Sequence, residues 1–177
     1  MIRILIILLL LSLSYSATLL VPSEYSTIQS AIDASSDGDE VQVSARTYYE
    51  IINFNGKNIS VIGADRETTI IDGDVNDDGV GDGSVVNFGS GELATSVLSG
   101  FTITNGYAEN GGGISVWDSS HPTLTNLTIS DNEAFGNGGG VWIFYNSSAN
   151  LTNVTISGNE ADGYGGGIVC TNSSSAN

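Results

Sequence analysis

Basic residues are nearly absent from this 177-residue chain: four Lys and Arg stand against twenty Asp and Glu, a formal net charge of −16. A surface of that sign repels nucleic acid and anionic lipid, which excludes both as partners and leaves calcium and neutral or cationic ligands open. Cysteine is as scarce. Cys170 stands alone, so an intrachain disulfide framework is excluded and packing and hydrogen bonds must hold the chain together. Its alternating position after "GGGI" reads as a small buried apolar residue. The single histidine, His121, has no second His or Cys nearby to form a zinc-type ligand set, and it reads as a loop residue before Pro122. Amphipathic helical periodicity is missing from the whole C-terminal half. Glycine, in contrast, is plentiful at 23 residues, and its placement is periodic.

The stretch "LTNLTISDNEAFGNGGGVW" from Leu124 returns as "LTNVTISGNEADGYGGGIV" from Leu151. Aligning Leu98, Leu124 and Leu151 defines three units of 26 to 27 residues. Each unit has an alternating segment, an Asn-bearing bend, a glycine run and a second alternating segment. Apolar residues recur in register as Phe101/Leu127/Val154, Ile103/Ile129/Ile156, Ile114/Val141/Ile168 and Val116/Ile143/Cys170. Period-two alternation of β-branched residues predicts strands. A unit this small cannot bury its apolar face alone, so the units must stack, each strand pairing in parallel with its equivalent in the next coil. The expected fold is all-β: a right-handed parallel β-helix, wound in the hand that parallel crossovers adopt.

In that fold Gly111–Gly113, Gly138–Gly140 and Gly165–Gly167 stack at one corner, where side chains would obstruct the backbone. Asn105, Asn132 and Asn159 fall at another bend as an amide ladder. Upstream, "EVQVS", "EIINF", "NISVIG", "TTIIDG" and "SVVNF" supply about two further coils from Val41 to Phe88. The one helical signal, "YSTIQSAIDASSDGD", has Ser26 and Gln29 as a capping box and Ile28, Ala31 and Ile32 as its apolar face. A short N-terminal α-helix here would cover the open strand edge of the first coil.

Ahead of it, Met1 and Arg3 precede an apolar run from Ile4 to Leu13 and a Ser14-Tyr15-Ser16 site before Ala17. This is the layout of a secretory signal peptide; the run is too short for a bilayer span of roughly 20 residues. The expected divisions are a signal peptide at 1–16, a strand and capping helix at 17–40, and coils at 41–177. The mature chain is expected to be secreted or held on the outer surface of a bacterial cell, without inserting into the membrane. Asn177 aligns with Asn150, the last residue before a new copy, so further coils or a C-terminal domain are expected to follow.

"VPSEYSTIQSAIDASSDGDEVQV" followed by "TYYEIINFNGKNISVIGADRETTIIDGD" resembles the opening of the pectin-lyase-like right-handed parallel β-helix superfamily, in particular its bacterial secreted members. The "GGGI…LTNxTIS" units resemble repeats of polymorphic outer-membrane and adhesin-like proteins. Arg46 departs from the pattern, which has glycine before "TYYE". The resemblance implies the fold but leaves activity open, because the superfamily holds lyases, hydrolases, epimerases, adhesins and stalks.

Chemistry is concentrated in "DGDVNDDGVGDG". Asp74, Asn76, Asp78, Gly79 and Asp82 follow the D-x-N-x-D-G-x-x-D spacing of calcium loops, in which alternate oxygens converge on one hard cation. The bidentate Glu of such loops is missing, Val85 standing in its place, so a Ca²⁺ site here would be weak; the alternative is a solvated acidic insertion. For a lyase the resemblance implies an Arg or Lys base, and Arg66 is the one candidate. For a hydrolase, paired carboxylates would have to come from Asp118, Asp131, Glu133, Glu160 or Asp162; Glu133 and Glu160 occupy equivalent turn positions and read as a solvated ladder. Trp117, Trp142, Phe144 and Tyr145 follow the glycine runs and form a candidate outward aromatic strip, able to stack on sugars or to shield strands. Six N-x-S/T sequons read as by-products of Asn-rich turns. The functional expectation is a structural, adhesive or carbohydrate-binding module with a polysaccharide or cell-surface partner. The alternative is a lyase or glycoside hydrolase acting on acidic polysaccharide, its active coils largely elsewhere.

Overall fold

A computed structural model describes residues 16–177. The expected signal peptide lies outside these residues apart from Ser16. The chain opens with β1 (Thr18–Val21) and helix α1 (Ile28–Ala34) and then winds into coils. The first coil carries β2 (Glu40–Val43), β3 (Thr47–Tyr49) and β4 (Ile52–Asn53), and the second β5 (Ser60–Gly63), β6 (Ile70–Asp72) and β7 (Val86–Phe88). The third carries β8 (Val97–Ser99), β9 (Thr102–Thr104), β10 (Tyr107–Asn110) and β11 (Ile114–Val116). The fourth has β12 (Thr123–Ser130), β13 (Glu133–Asn137) and β14 (Val141–Ile143). The fifth has β15 (Ser148–Ser157), β16 (Glu160–Ala161) and β17 (Ile168–Cys170), and β18 (Ser175–Ala176) begins another turn.

Every strand pairs in parallel with its equivalent one coil away. Val41, Val61, Leu98, Leu124 and Leu151 form one inward column. Tyr48, Ile71, Ile103, Ile129 and Ile156 form the second. Ile52, Val86, Ile114, Val141 and Ile168 form the third. The core is the inside of the coil: Ile71, Ile103 and Ile129 are fully buried, and Ile156 packs against them. Alternation of aliphatic and polar residues therefore produced the expected parallel β-helix. A separate three-stranded sheet of β10, β13 and β16 was not anticipated. Its inward residues are Ala108 and Ala134, too small to give a hydrophobic period.

At the glycine corner Gly111, Gly138 and Gly165 all take positive φ, 68°, 66° and 63°. A side chain there would be strained whatever the space. The second bend corrects the expected ladder by one position. Asn105 aligns with Asp131, and Gly106 aligns with Asn132 and Asn159, because Tyr107 pairs with Glu133. Asn132 Nδ2 donates to Asn159 Oδ1 at 2.9 Å and Asn132 Oδ1 accepts from the Gly106 amide at 2.9 Å. Further Asn pairs, Asn126–Asn153 and Asn110–Asn137, link coils on the outside. Arg46 needs no glycine-like backbone; its guanidinium lies 5.1 Å from the Tyr48 ring centroid.

The helix caps the stack. Ile28, Ala31 and Ile32 are buried against β1, β2 and β4. Its capping box is Thr27 with Ser30 rather than Ser26 with Gln29. Gln29 is needed elsewhere: its side chain accepts from the Asn53 amide at 2.7 Å and donates to the Asn53 carbonyl at 3.2 Å. It thus satisfies the edge of β4 as a neighbouring strand would. Glu50 accepts both the Ile28 and Gln29 amides at 3.0 Å, and Lys57 Nζ donates to the carbonyls of Ile32, Asp33 and Ser35 at 2.7, 2.7 and 2.8 Å. An acid at the helix start and a base at its end match the macrodipole. Cys170 corrects a second expectation. It extends the inward column of Val116 and Ile143, yet it is exposed because no described coil covers the fifth. Partial burial still raises its thiol pKa.

Candidate functional site

The acidic loop leaves the second coil at Gly73 and returns at Asp82, whose amide donates to the Gly73 carbonyl at 2.9 Å. The sequence-predicted ligands Asp74, Asn76, Asp78 and Asp82 all lie in this closed loop. Asp74, 7 % exposed, accepts the Asp78 amide at 3.0 Å and the Gly79 amide at 2.7 Å. Asn76 Oδ1 accepts the Asp78 amide at 3.1 Å, Asp78 the Val80 amide at 3.0 Å, and Asp82 the Val75 amide at 2.9 Å. Asp72 fastens the loop's root, taking the Asp74 amide at 3.0 Å and the Asn105 side-chain amide at 3.1 and 3.0 Å. Each carboxylate thus serves as a turn cap in this geometry. Among the described residues no three His, Cys, Asp or Glu side chains are gathered at metal-holding spacing. A cation at Asp74 and its neighbours would have to exchange with these amide donors.

Between the loop and the sheet of β10, β13 and β16 runs a cleft of about 330 Å³ lined by Asp74, Val80, Asn105, Tyr107, Asp131 and Glu133. Glu133 pairs in register with Glu160, and both are exposed, as a solvated ladder requires. Arg66 is not brought to this cleft. It stands at the opposite end of β6, in a groove with Gly100, Asn126 and Asn153, and its Nη1 donates to the Asn153 carbonyl at 3.2 Å. His121 Nδ1 lies 2.9 Å from Ser148 Oγ, a coil-to-coil link within the corner.

The aromatic strip lies along the outer side and end of the five-stranded sheet of β4, β7, β11, β14 and β17. Val116 and Ile143 are buried inward, while Trp117 is 44 % and Tyr145 53 % exposed. Trp142 and Phe144 stack with centroids 4.7 Å apart and an interplanar angle of 11°. Phe144 and Tyr145 follow at 6.2 Å. A second exposed pair, Tyr107 and Phe135, sits 5.7 Å apart beside the acidic cleft. Phe135 escaped the sequence reading because its segment looked like a turn. So did Glu92, which is fully buried and accepts from the Gly56 and Ser90 amides and the Ser120 hydroxyl at 2.8, 3.0 and 2.7 Å. Below it Ser147 and Ser174 continue a hydroxyl ladder. A lone Glu in "GSGEL" carries no pattern that announces burial.

The model of the family described as right handed beta helix region matches residues 40–177. The chain belongs to the right-handed β-helix family. No curated protein and no solved structure matches the chain. In this β-helix no helix among the described residues is long and apolar enough to cross a membrane.

Proposed function

We propose that this β-helix is a secreted or cell-surface module that binds polysaccharide and serves a structural or adhesive role. The observation that carries the reading is the exposed aromatic surface. Tyr107, Trp117, Phe135, Tyr145 and Tyr164 all stand on the outside of the coils with 38 % or more of their area in solvent. Apolar area held out on a rigid scaffold, away from the core it could have joined, marks a contact surface. The stacked coils repeat equivalent positions at about 4.8 Å steps along one axis, which suits a linear polymer better than a compact ligand. The export segment read from the sequence supplies the location.

Pull-down of the chain by insoluble cell-wall polysaccharide tests the reading, with the same samples assayed for new reducing ends and with polyuronate assayed for unsaturated products. Binding without product is expected. Products that vanish in Arg66→Ala would replace the binding module with a polysaccharide-cleaving enzyme.

A further inference from the structure

We propose that Trp117, Trp142, Phe144 and Tyr145 form one binding site for a neutral polysaccharide, whose sugar rings lay their C–H faces on the aromatic planes. The inference rests on the polysaccharide-binding reading and gives it a place and a ligand charge.

Backbone pairing sets the geometry. Val116 pairs with Ile143, so Trp117 and Phe144, the residues that follow, are neighbours in adjacent coils. Trp142 stands two residues before Phe144 on the same outer side, its ring stacked nearly parallel to that of Phe144. The platform therefore spans two coils. Trp117 and Tyr145 are exposed, Trp142 and Phe144 half-buried, and the platform is seated on its coils. Trp117 packs against Gly89, where any Cβ would collide with the indole Nε1, Cε2 and Cζ2 atoms. Beneath the strip Ser115, which pairs with Trp142 and faces outward, is only 6 % exposed. Neither indole N–H meets a protein acceptor among the described residues, so each can donate to a ligand hydroxyl; a tryptophan offers an apolar face and one donor together.

The charge of the ligand follows from the surroundings. No charged residue occurs between Glu133 and Glu160, a stretch that holds three of the four aromatic residues, although the chain as a whole carries −16. Polyanions meet a repulsive field on approach. A polycation would find carboxylates elsewhere on the surface, but on this strip only Asp118 lies adjacent in sequence. A neutral, hydroxyl-rich ring matches the combination of π faces, free N–H donors and missing charge.

The test is intrinsic tryptophan fluorescence titrated with cellohexaose, xylohexaose and mannohexaose, with polygalacturonate and chitosan hexamer as charged comparisons. A saturable shift with at least one neutral hexamer, unchanged by added salt, is the expected result. Trp117→Ala and Trp142→Ala should each weaken it about tenfold or more, about 1.4 kcal/mol, while Tyr49→Ala, an exposed aromatic of the first coil away from the strip, leaves it unchanged. Melting curves confirm that the variants fold. No shift with any neutral hexamer, equal affinity in the tryptophan variants, or binding confined to a charged polymer and lost with salt overturns the proposal. So does sedimentation showing that the strip is buried by self-association. If the Trp117→Ala/Trp142→Ala double variant still sediments with cell-wall polysaccharide, this site fails while the binding module stands; if the wild-type chain does not sediment, that broader reading fails by itself.

Discussion

Replacing Lys57 by Met should loosen the N-terminal cap. Helix α1 has seven residues and no basic side chain in its last turn, too short to be stable by its own hydrogen bonds. Its C-terminal carbonyls are served instead by an ammonium reaching from the loop after β4. Three bonds at 2.7, 2.7 and 2.8 Å go to Ile32, Asp33 and Ser35. A hydrogen bond to a charged group contributes about 1.5–3 kcal/mol. The three share one charge, and the Asp33 bond is open to solvent, so the loss should total about 2–4 kcal/mol rather than the sum. Met preserves the aliphatic stem, so little packing changes. At about 2–4 °C per kcal/mol for a chain of this size, the melting temperature should fall by roughly 5–15 °C. Hydrogen exchange should accelerate over Ile28–Ser35 before the later coils respond, and light scattering should rise as the edges of β1 and β4 open. Lys57→Arg should recover part of the loss. A Lys57→Met protein within about 0.5 kcal/mol of wild type, or one destabilised with helix protection unchanged, would refute the capping argument.

Asn132→Ala removes donors to Ile103, Ser130 and Asn159 and the acceptor of the Gly106 amide from a site 1 % exposed. Denaturant unfolding should show a loss of about 2–4 kcal/mol. The amides of Ala17 and Ser36 donate to Asp39 and hold its carboxyl below the usual carboxylate range. Because the folded value lies below the unfolded one, this stabilisation is present above the unfolded value and fades as pH falls through the folded one. Melting curves taken below about pH 4 should therefore converge for wild type and Asp39→Asn, and separate near neutrality. If calcium displaces the turn-capping bonds at Asp74, Asn76, Asp78 and Asp82 and binds with a dissociation constant of about 1 mM, it should add about 1.4 kcal/mol at tenfold excess. Calorimetry with and without chelator checks this, and an equal shift in Asp74→Ala/Asp78→Ala would remove the site. Replacing residues 74–81 by Asn-Gly should change the stability of the chelated chain by less than about 1 kcal/mol, since the loop's bonds are mostly local and shorter closure costs less entropy.

Much of this fold is legible in one sequence because each coil copies the last. Ile103, Ile129 and Ile156 stack from the sequence alone, since the 26- and 27-residue spacing of Leu98, Leu124 and Leu151 leaves one register that keeps aliphatics inside. The bend at Gly106 was misplaced by one residue for a local reason. Its copies carry Asn, and "TNGY" holds an Asn one position earlier that takes the left-handed conformation at φ 56°. Hydrogen bonds between coils were illegible where they join unlike residues, as with Glu92 and Ser120 or Lys57 and the end of α1. No periodicity links such partners. The acidic loop was legible as composition and illegible as geometry, because a run of Asp and Gly satisfies turn-capping and calcium-ligand spacing alike.

The coils divide the constraints on this chain unevenly. The paired residues Val41, Val61, Leu98, Leu124 and Leu151 lie 20, 37, 26 and 27 positions apart. Nevertheless Ile71 still meets Ile103 and Val86 still meets Ile114. The extra length of the second coil is spread over its corners without shifting a strand: Val61 to Ile71 spans 10 positions where Leu98 to Ile103 spans 5, and Ile71 to Val86, closed by the Gly73–Asp82 bond, spans 15 where Ile103 to Ile114 spans 11. A slip of one residue within a strand would turn a whole aliphatic column outward, whereas an insertion at a corner costs only slowly growing closure entropy. Corners and outward positions are therefore where this β-helix can acquire chemistry, and both the acidic loop and the aromatic strip stand there.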